Sequence, residues 1–321
     1  MKRISLWLLV ALLMGTAGIG LATDTGRIVD GINEKSVSLD IDGERLVWAD
    51  QVQQMIGIYN FTDGKTENIP LKVIPRSVRV TKGMIFFLAG ETKTGDPALY
   101  PFYCNSKKSK VYRLDTTFAE GLEAEAGYIV WYNRDRVVVQ NLWNGTRQTL
   151  KADQAIRDAA VSQDTLVYID GQDAQKDYLY TINLRTGAKK SYAFMNIGDL
   201  AMSYPLVALT SADENTGTNG GKAVYIVNLE TEQVTMIDHT YYPALLRSDS
   251  RYGLDMARGA VAFRSTLDPS KTTAMNAQGI YLYDLEKNKL MNVSPIGVQP
   301  ALSNERVAWV ENGGIYVYKY R

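Results

Sequence analysis

The stretch that decides the fold is Asn304–Arg321, NERVAWVENGGIYVYKYR. Two runs rich in β-branched and aromatic residues flank a Gly313–Gly314 turn, the pattern of a β-hairpin. A hairpin this apolar cannot stand with an open edge, because an unpaired apolar strand recruits other chains. Some other part of the chain has to cover it. The first run carries the triplet VAW (Val307–Trp309), and similar triplets recur upstream: LVW (Leu46–Trp48), IFF (Ile85–Phe87), IVW (Ile129–Trp131), LVY (Leu166–Tyr168), LVA (Leu206–Ala208) and VAF (Val261–Phe263). Their third residues lie 37 to 55 residues apart. A repeat of that length with strands in every unit points to a β-propeller.

Each unit keeps one order of elements. A short alternating strand comes first, as in SVSLDID (Ser36–Asp42), and a turn leads into the triplet. A Tyr-rich strand follows, as in ALYPFYC (Ala98–Cys104), DYLYTINL (Asp177–Leu184) and QGIYLYDL (Gln278–Leu285). A turn such as TDGKT (Thr62–Thr66) or WNGTR (Trp143–Arg147) then opens a last short strand. The triplets do not alternate, so the second strand is buried on both faces, as between neighbouring blades. Six units are complete, and the seventh, from about Gln299, has three strands before Arg321. GRIVDGI (Gly26–Ile32) precedes the first unit and supplies the missing strand. The expectation is an all-β fold: a seven-bladed β-propeller of four-stranded antiparallel blades, closed by an N-terminal strand completing the last blade. A shifted register would give six blades with the tail docked elsewhere.

Lys+Arg and Asp+Glu number 35 each, which leaves no electrostatic footprint for nucleic acid. The 20 tyrosines and 26 glycines favour sheet and turns over helix. Residues 1–22 read as a secretory signal peptide: Lys2 and Arg3, then the apolar Ile4–Ala22 with Gly20 and Ala22 forming a small-x-small cleavage site before Thr23. The competing reading is a retained membrane anchor; Gly15, Gly18 and Gly20 weaken it by breaking the helix. Residues 23–321 then form a single propeller domain, located in the periplasm, outside the cell or on its surface. Cys104 is the sole cysteine, so no intrachain disulfide exists and burial has to supply stability.

The phrases ERLVWAD (Glu44–Asp50), IGIYNFTDGKTENIP (Ile56–Pro70) and ERVAWVENGGIYVYKY (Glu305–Tyr320) resemble the TolB-like β-propeller repeats of exported bacterial and archaeal proteins. The resemblance spans roughly Ser36 to Arg321. It implies the propeller architecture. TolB carries an α/β domain ahead of its propeller, for which this chain leaves no room.

Two candidate sites follow from the architecture. First-strand side chains alternate between blade packing and the central channel. The packing set is Leu39/Ile41, Val78/Val80, Leu122/Ala124, Ala159/Val161, Leu254/Met256 and Leu302. The channel set contains Asp40, Arg79, Glu123, Asp158, Asp199 and Asp255, an acidic lining suited to a cation or a basic peptide end, although a water-filled channel tolerates such residues without any ligand. Glu125 is expected in the turn beyond its strand. The second candidate is the face carrying the connections between second and third strands and between blades. Three adjoining connections there are long: 210–221, 239–253 and 264–279. The middle one holds Tyr241, Tyr242, Arg247, Arg251 and Tyr252, residue types enriched at binding hot spots.

His239 is the only histidine, which removes multi-His metal centres, including the His-rich site of propeller-type pectate-degrading lyases. No GxSxG elbow or phosphate loop is present; GTNGGK (Gly217–Lys222) lacks the first glycine and the Ser/Thr. Paired carboxylates in the channel leave a glycosidase or lyase as the alternative function. Three Asn-x-Ser/Thr sequons occur, at Asn60, Asn144 and Asn292, with Pro295 disfavouring the last. The expected function is an exported, monomeric, non-catalytic binding scaffold without cofactor or metal, recognising an envelope or extracellular protein or a glycan. A self-assembling surface-layer component is a third possibility.

Overall fold

A computed structural model of the chain describes residues 25–90, 99–105, 110–171, 177–212, 222–241, 253–266 and 278–321. Its strands form seven four-stranded antiparallel sheets, each a run of four consecutive strands except the last. Blade one shows the pattern: Val37–Asp42, Arg45–Asp50, Met55–Asn60 and Lys65–Pro70. The chain runs from the innermost strand outward, and burial falls off along it. The first two strands are largely buried and the fourth is largely exposed.

The triplets owe their composition to this arrangement. In the second strand of blade one, Leu46 and Trp48 pack towards blade seven, against Ala308, Val310 and Ile315. Val47 between them packs the other way, against Val78, Val80 and Phe87 of blade two. Both faces are sealed, so apolar residues are required without alternation. Each fully buried large side chain contributes roughly 1.5–3 kcal/mol. The packing set expected from the sequence forms these wedges, and in blade five Leu200 and Met202 take its place. Gly57 shows how tightly one wedge is filled: a Cβ there would lie 2.0 Å from the Trp48 indole.

The seventh sheet has the order Thr25–Asp30, Gly314–Lys319, Arg306–Glu311, Val298–Leu302. The head of the propeller therefore supplies the outer strand of its last blade. Arg27 faces Tyr316 and Val29 faces Ile315 across this seam, with a bulge between them. Ile32 N donates to Gly313 O at 2.9 Å, and the Ile32 side chain is buried between blades seven and one. Gly313 N in turn donates to Glu34 Oε1 at 3.0 Å. The apolar hairpin is thus covered by the same chain. Cys104 is buried in the wedge between blades one and two, and burial pushes its thiol up to about 11.

Candidate functional site: the channel and the loop face

Within a blade the first strand pairs on one side only, with the second, so its other edge carries backbone N–H groups with no partner in the sheet. The neighbouring blade supplies acceptors. Ser38 Oγ accepts from Val78 N at 3.2 Å, Asp40 Oδ2 from Val80 N at 2.7 Å, and Asp42 Oδ2 from Lys82 N at 2.5 Å. Blade one therefore caps the inner edge of blade two along its length. The device recurs around the ring: Thr81 Oγ1 accepts from Gly127 N, Ser162 Oγ from Tyr204 N, and Asp255 Oδ2 from Leu302 N at 2.6 Å. Several side chains of the channel column are thus also staples between blades.

Alternation places the column in three tiers. The tier nearest the loop face contains Ser38, Ser77, Asp158, Asp199 and Gln299. Asp158 is buried and accepts from the Tyr132 hydroxyl and from Ala159 N. Asp199 lies one residue before its strand, and its backbone N donates to Thr210 Oγ1 at 2.9 Å. The middle tier holds Asp40, Arg79, Glu123 and Asp255. Arg79 and Glu123 form a two-pronged ion pair, with Arg79 Nε 2.5 Å from Glu123 Oε2 and Arg79 Nη2 bonded to Oε1. The third tier holds Asp42, Thr81, Glu125, Ser162 and Ser203.

The lower two tiers enclose a cavity of about 410 Å³. Asp40, Arg79, Glu123, Glu125 and Asp255 line it, and Asp158 and Asp199 do not. Its mouth is bordered by Gly43, Glu44, Arg258, Glu305 and Arg306, which belong to or adjoin the turns between first and second strands. The cavity therefore opens on the hairpin face, opposite the long connections. Burial pushes the Asp40 carboxyl up to about 6 despite the opposing field of Arg79. Burial pushes Asp255 up to about 8, and the charge of Asp40 adds to the effect. Burial likewise pushes Glu125 up to about 8, against hydrogen bonds to Ser162 and Ser203. The cavity thus combines two carboxyls raised to about 8, Glu125 and Asp255, with the Arg79–Glu123 ion pair.

Glu125 was expected in a turn. It is instead the last residue of its strand, Gly121–Glu125, and it faces the channel. The i, i+2 relation to Glu123 was the signal that it belongs to the same lining. Among the described residues, no group of three or more His, Cys, Asp or Glu side chains is placed to hold a metal ion, and no helix is long and apolar enough to cross a membrane.

On the loop face, Tyr242, Arg247, Arg251 and Tyr252 lie outside the described residues. Tyr241 closes the strand Val234–Tyr241 and its backbone pairs with Lys222. The strands bounding 213–221, 242–252 and 267–277 all end at this face, in adjacent blades five and six. Four exposed large apolar side chains share it: Val52 within blade one, Phe118 between blades two and three, Met195 between four and five, and Ile296 between six and seven. Sequence reasoning passed over these four, because a single apolar residue in a loop carries no periodic signal.

The fold and channel define a closed seven-bladed β-propeller. No family model matches the chain, and no curated protein matches it. Solved structures do. An oligogalacturonate lyase in complex with manganese aligns over 93% of this chain and 94% of its own at a TM-score of 0.61 and 8% identity. A chain of the mitotic checkpoint complex aligns over the same shares at 0.61 and 10% identity. The β-propeller domain of the Trilobed protease from Pyrococcus furiosus, which has an open velcro topology, aligns over 78% of this chain and 82% of its own at 0.56 and 11% identity. At such identities the likeness is one of fold.

Proposed function

We propose that the protein is an exported, TolB-like propeller that acts as a non-catalytic scaffold and binds an envelope or extracellular protein or glycan through its loop face. The observation that carries this reading is the set Val52, Phe118, Met195 and Ile296, exposed from four separate connections on one face. They offer a partner apolar contact points on a rigid face, and connections on a rigid scaffold are where binding residues concentrate. The channel staples are engaged in holding blades together, which leaves the connections as the part of the wheel free to vary. A propeller in the mitotic checkpoint complex supports a protein partner. In this reading Tyr241, Tyr242, Arg247, Arg251 and Tyr252 add hot-spot chemistry to the same face. Residues 1–22 direct export, and the mature domain acts as a monomer.

The test is affinity capture from native envelope extract with the purified domain. One envelope component should be retained by the wild type and lost with Phe118→Ser, Tyr242→Ala or Arg247→Ala, each of which should melt as the wild type does. Retention that is unchanged in all three variants refutes the assignment of the face.

A second reading, a glycosidase or lyase, rests on Glu125 and Asp255, whose carboxyls burial raises to about 8, beside the Arg79–Glu123 ion pair. It requires turnover of a polysaccharide that disappears in Asp255→Asn.

A further inference from the structure

The three sequons occupy different structural positions. Asn292 lies within the strand Lys289–Ser294, paired with Tyr281. Asn60 ends the strand Met55–Asn60 and is paired on both sides, with Arg45 and Lys65. The Asn292 side chain is exposed, but at either position the backbone would have to leave a sheet ladder to enter a transferase site. Asn144 lies in the turn between the strands Arg136–Asn141 and Arg147–Lys151, and it is exposed. Asn144 Oδ1 accepts from Thr146 N at 2.9 Å and from the Thr146 hydroxyl at 2.7 Å. The hydroxyl draws electron density from the carboxamide and makes its N–H proton easier to lose.

The surroundings also suit a sugar. Trp143, beside the acceptor, is 66% exposed, the highest value among the described large apolar side chains. Its indole is held in place, with Lys82 Nζ 3.3 Å from the ring centroid. Asn144 and Thr146 border a hollow of about 190 Å³ between blades three and four, where Asn141, Gln148, Asp164 and Arg185 present polar groups. A fixed, exposed indole and a polar recess are the surfaces that carbohydrate covers well.

We propose that Asn144 is the acceptor for an N-linked oligosaccharide, transferred from a lipid-pyrophosphate donor, and that Asn60 and Asn292 are not. Asn144 Nδ2 attacks the anomeric carbon of the donor sugar. The N–C bond forms as the C–O bond to the lipid pyrophosphate breaks. The pyrophosphate leaves with the electron pair, and the amide proton passes to a base of the transferase. The glycan then lies over Trp143 on the hairpin side of the wheel, away from the loop face.

The experiment incubates the folded, purified chain with an oligosaccharyltransferase and a lipid-pyrophosphate-linked oligosaccharide, and reads intact mass. A peptide spanning 140–150 is the control for transferase activity. The expected result is one glycan per chain, lost in Asn144→Gln and kept in Thr146→Ser, Asn60→Gln and Asn292→Gln. Because the turn is exposed, Asn144→Gln should melt with the wild type. A glycan mapped to Asn60 or Asn292, or a folded chain left bare while the peptide is modified, overturns the proposal. Neither result bears on partner capture by the loop face.

Discussion

Replacing Glu125 by Gln should stabilise the protein, increasingly so as pH rises. Glu125 is held near Ser162 and Ser203, and burial raises its carboxyl from the ordinary 4.5 to about 8. Between those two values the folded state binds a proton that the unfolded chain has released, so stability falls as pH rises through the interval. At about 1.36 kcal/mol per pH unit, the cost reaches roughly 3 kcal/mol at pH 7 and roughly 5 kcal/mol by pH 9. Gln keeps the size and the hydrogen-bonding reach of Glu but never ionises. Glu125→Gln should therefore match the wild type near pH 4, exceed it by about 3 kcal/mol at pH 7, and exceed it by more at pH 9. For a large domain the neutral-pH difference amounts to roughly 6–12 °C in Tm. Asp40 and Asp255 tilt both proteins in the same direction, while Asp164, Glu232 and Asp284, whose carboxyls are lowered, act at acid pH in both. The difference between the two chains reports Glu125 together with its charge interactions with Asp255 and Asp40. Urea denaturation at the three pH values measures it. Equal midpoints at pH 4, 7 and 9 would refute the claim that a buried carboxyl is being forced to ionise.

Deleting Thr25–Asn33 removes the outer strand of blade seven and uncovers the Gly314–Lys319 edge. Calorimetry should show a large fall in Tm, with concentration-dependent scattering from the freed edge; an unchanged Tm would mean that the seam does not close the ring. Ile32→Ala, a milder probe of that seam, should cost about 2–5 kcal/mol in denaturant titrations. Gly57→Ala should cost about 1–3 kcal/mol or more, because the added Cβ falls 2.0 Å from the buried Trp48 indole, and a wild-type midpoint would show that the indole relocates freely.

Much of this architecture was legible because each blade solves the same packing problem. A second strand sealed on both faces needs an unbroken apolar run, so Leu46–Trp48, Ile129–Trp131 and Val307–Trp309 announce their positions without any long-range information. The seam was legible by subtraction, since one unit lacked a strand and one strand lacked a unit. Blade five was harder. Its first strand is short, Leu200–Ser203, and Asp199 falls just outside it. Alternation gives the phase of the channel column, but only part of that column lines the cavity. Phase follows from alternation, whereas height depends on where each strand begins and on bulges such as that between Ile156 and Asp158. Asp158 bonds to Tyr132 one tier above the cavity, and Glu125 lines the cavity from a position that had looked like a turn.

The polarity of the channel has to be weighed against what the ring itself demands. Every first strand turns an unpaired edge towards its neighbour, and short side chains with an acceptor oxygen meet that need. Ser38, Asp40, Asp42, Thr81, Ser162 and Asp255 all do so. A polar, acidic column therefore arises in a propeller with no channel ligand at all, and acidity alone carries no functional information here. What does carry information is a side chain that the ring does not require. Val52, Phe118, Met195 and Ile296 cover no edge and fill no wedge, yet each exposes apolar surface on the same face. The staples fix the blades so that these four connections hold constant positions relative to one another, which would lower the entropic cost of binding the proposed partner across them. In this wheel the channel staples supply rigidity, and the proposed recognition falls to the loop face.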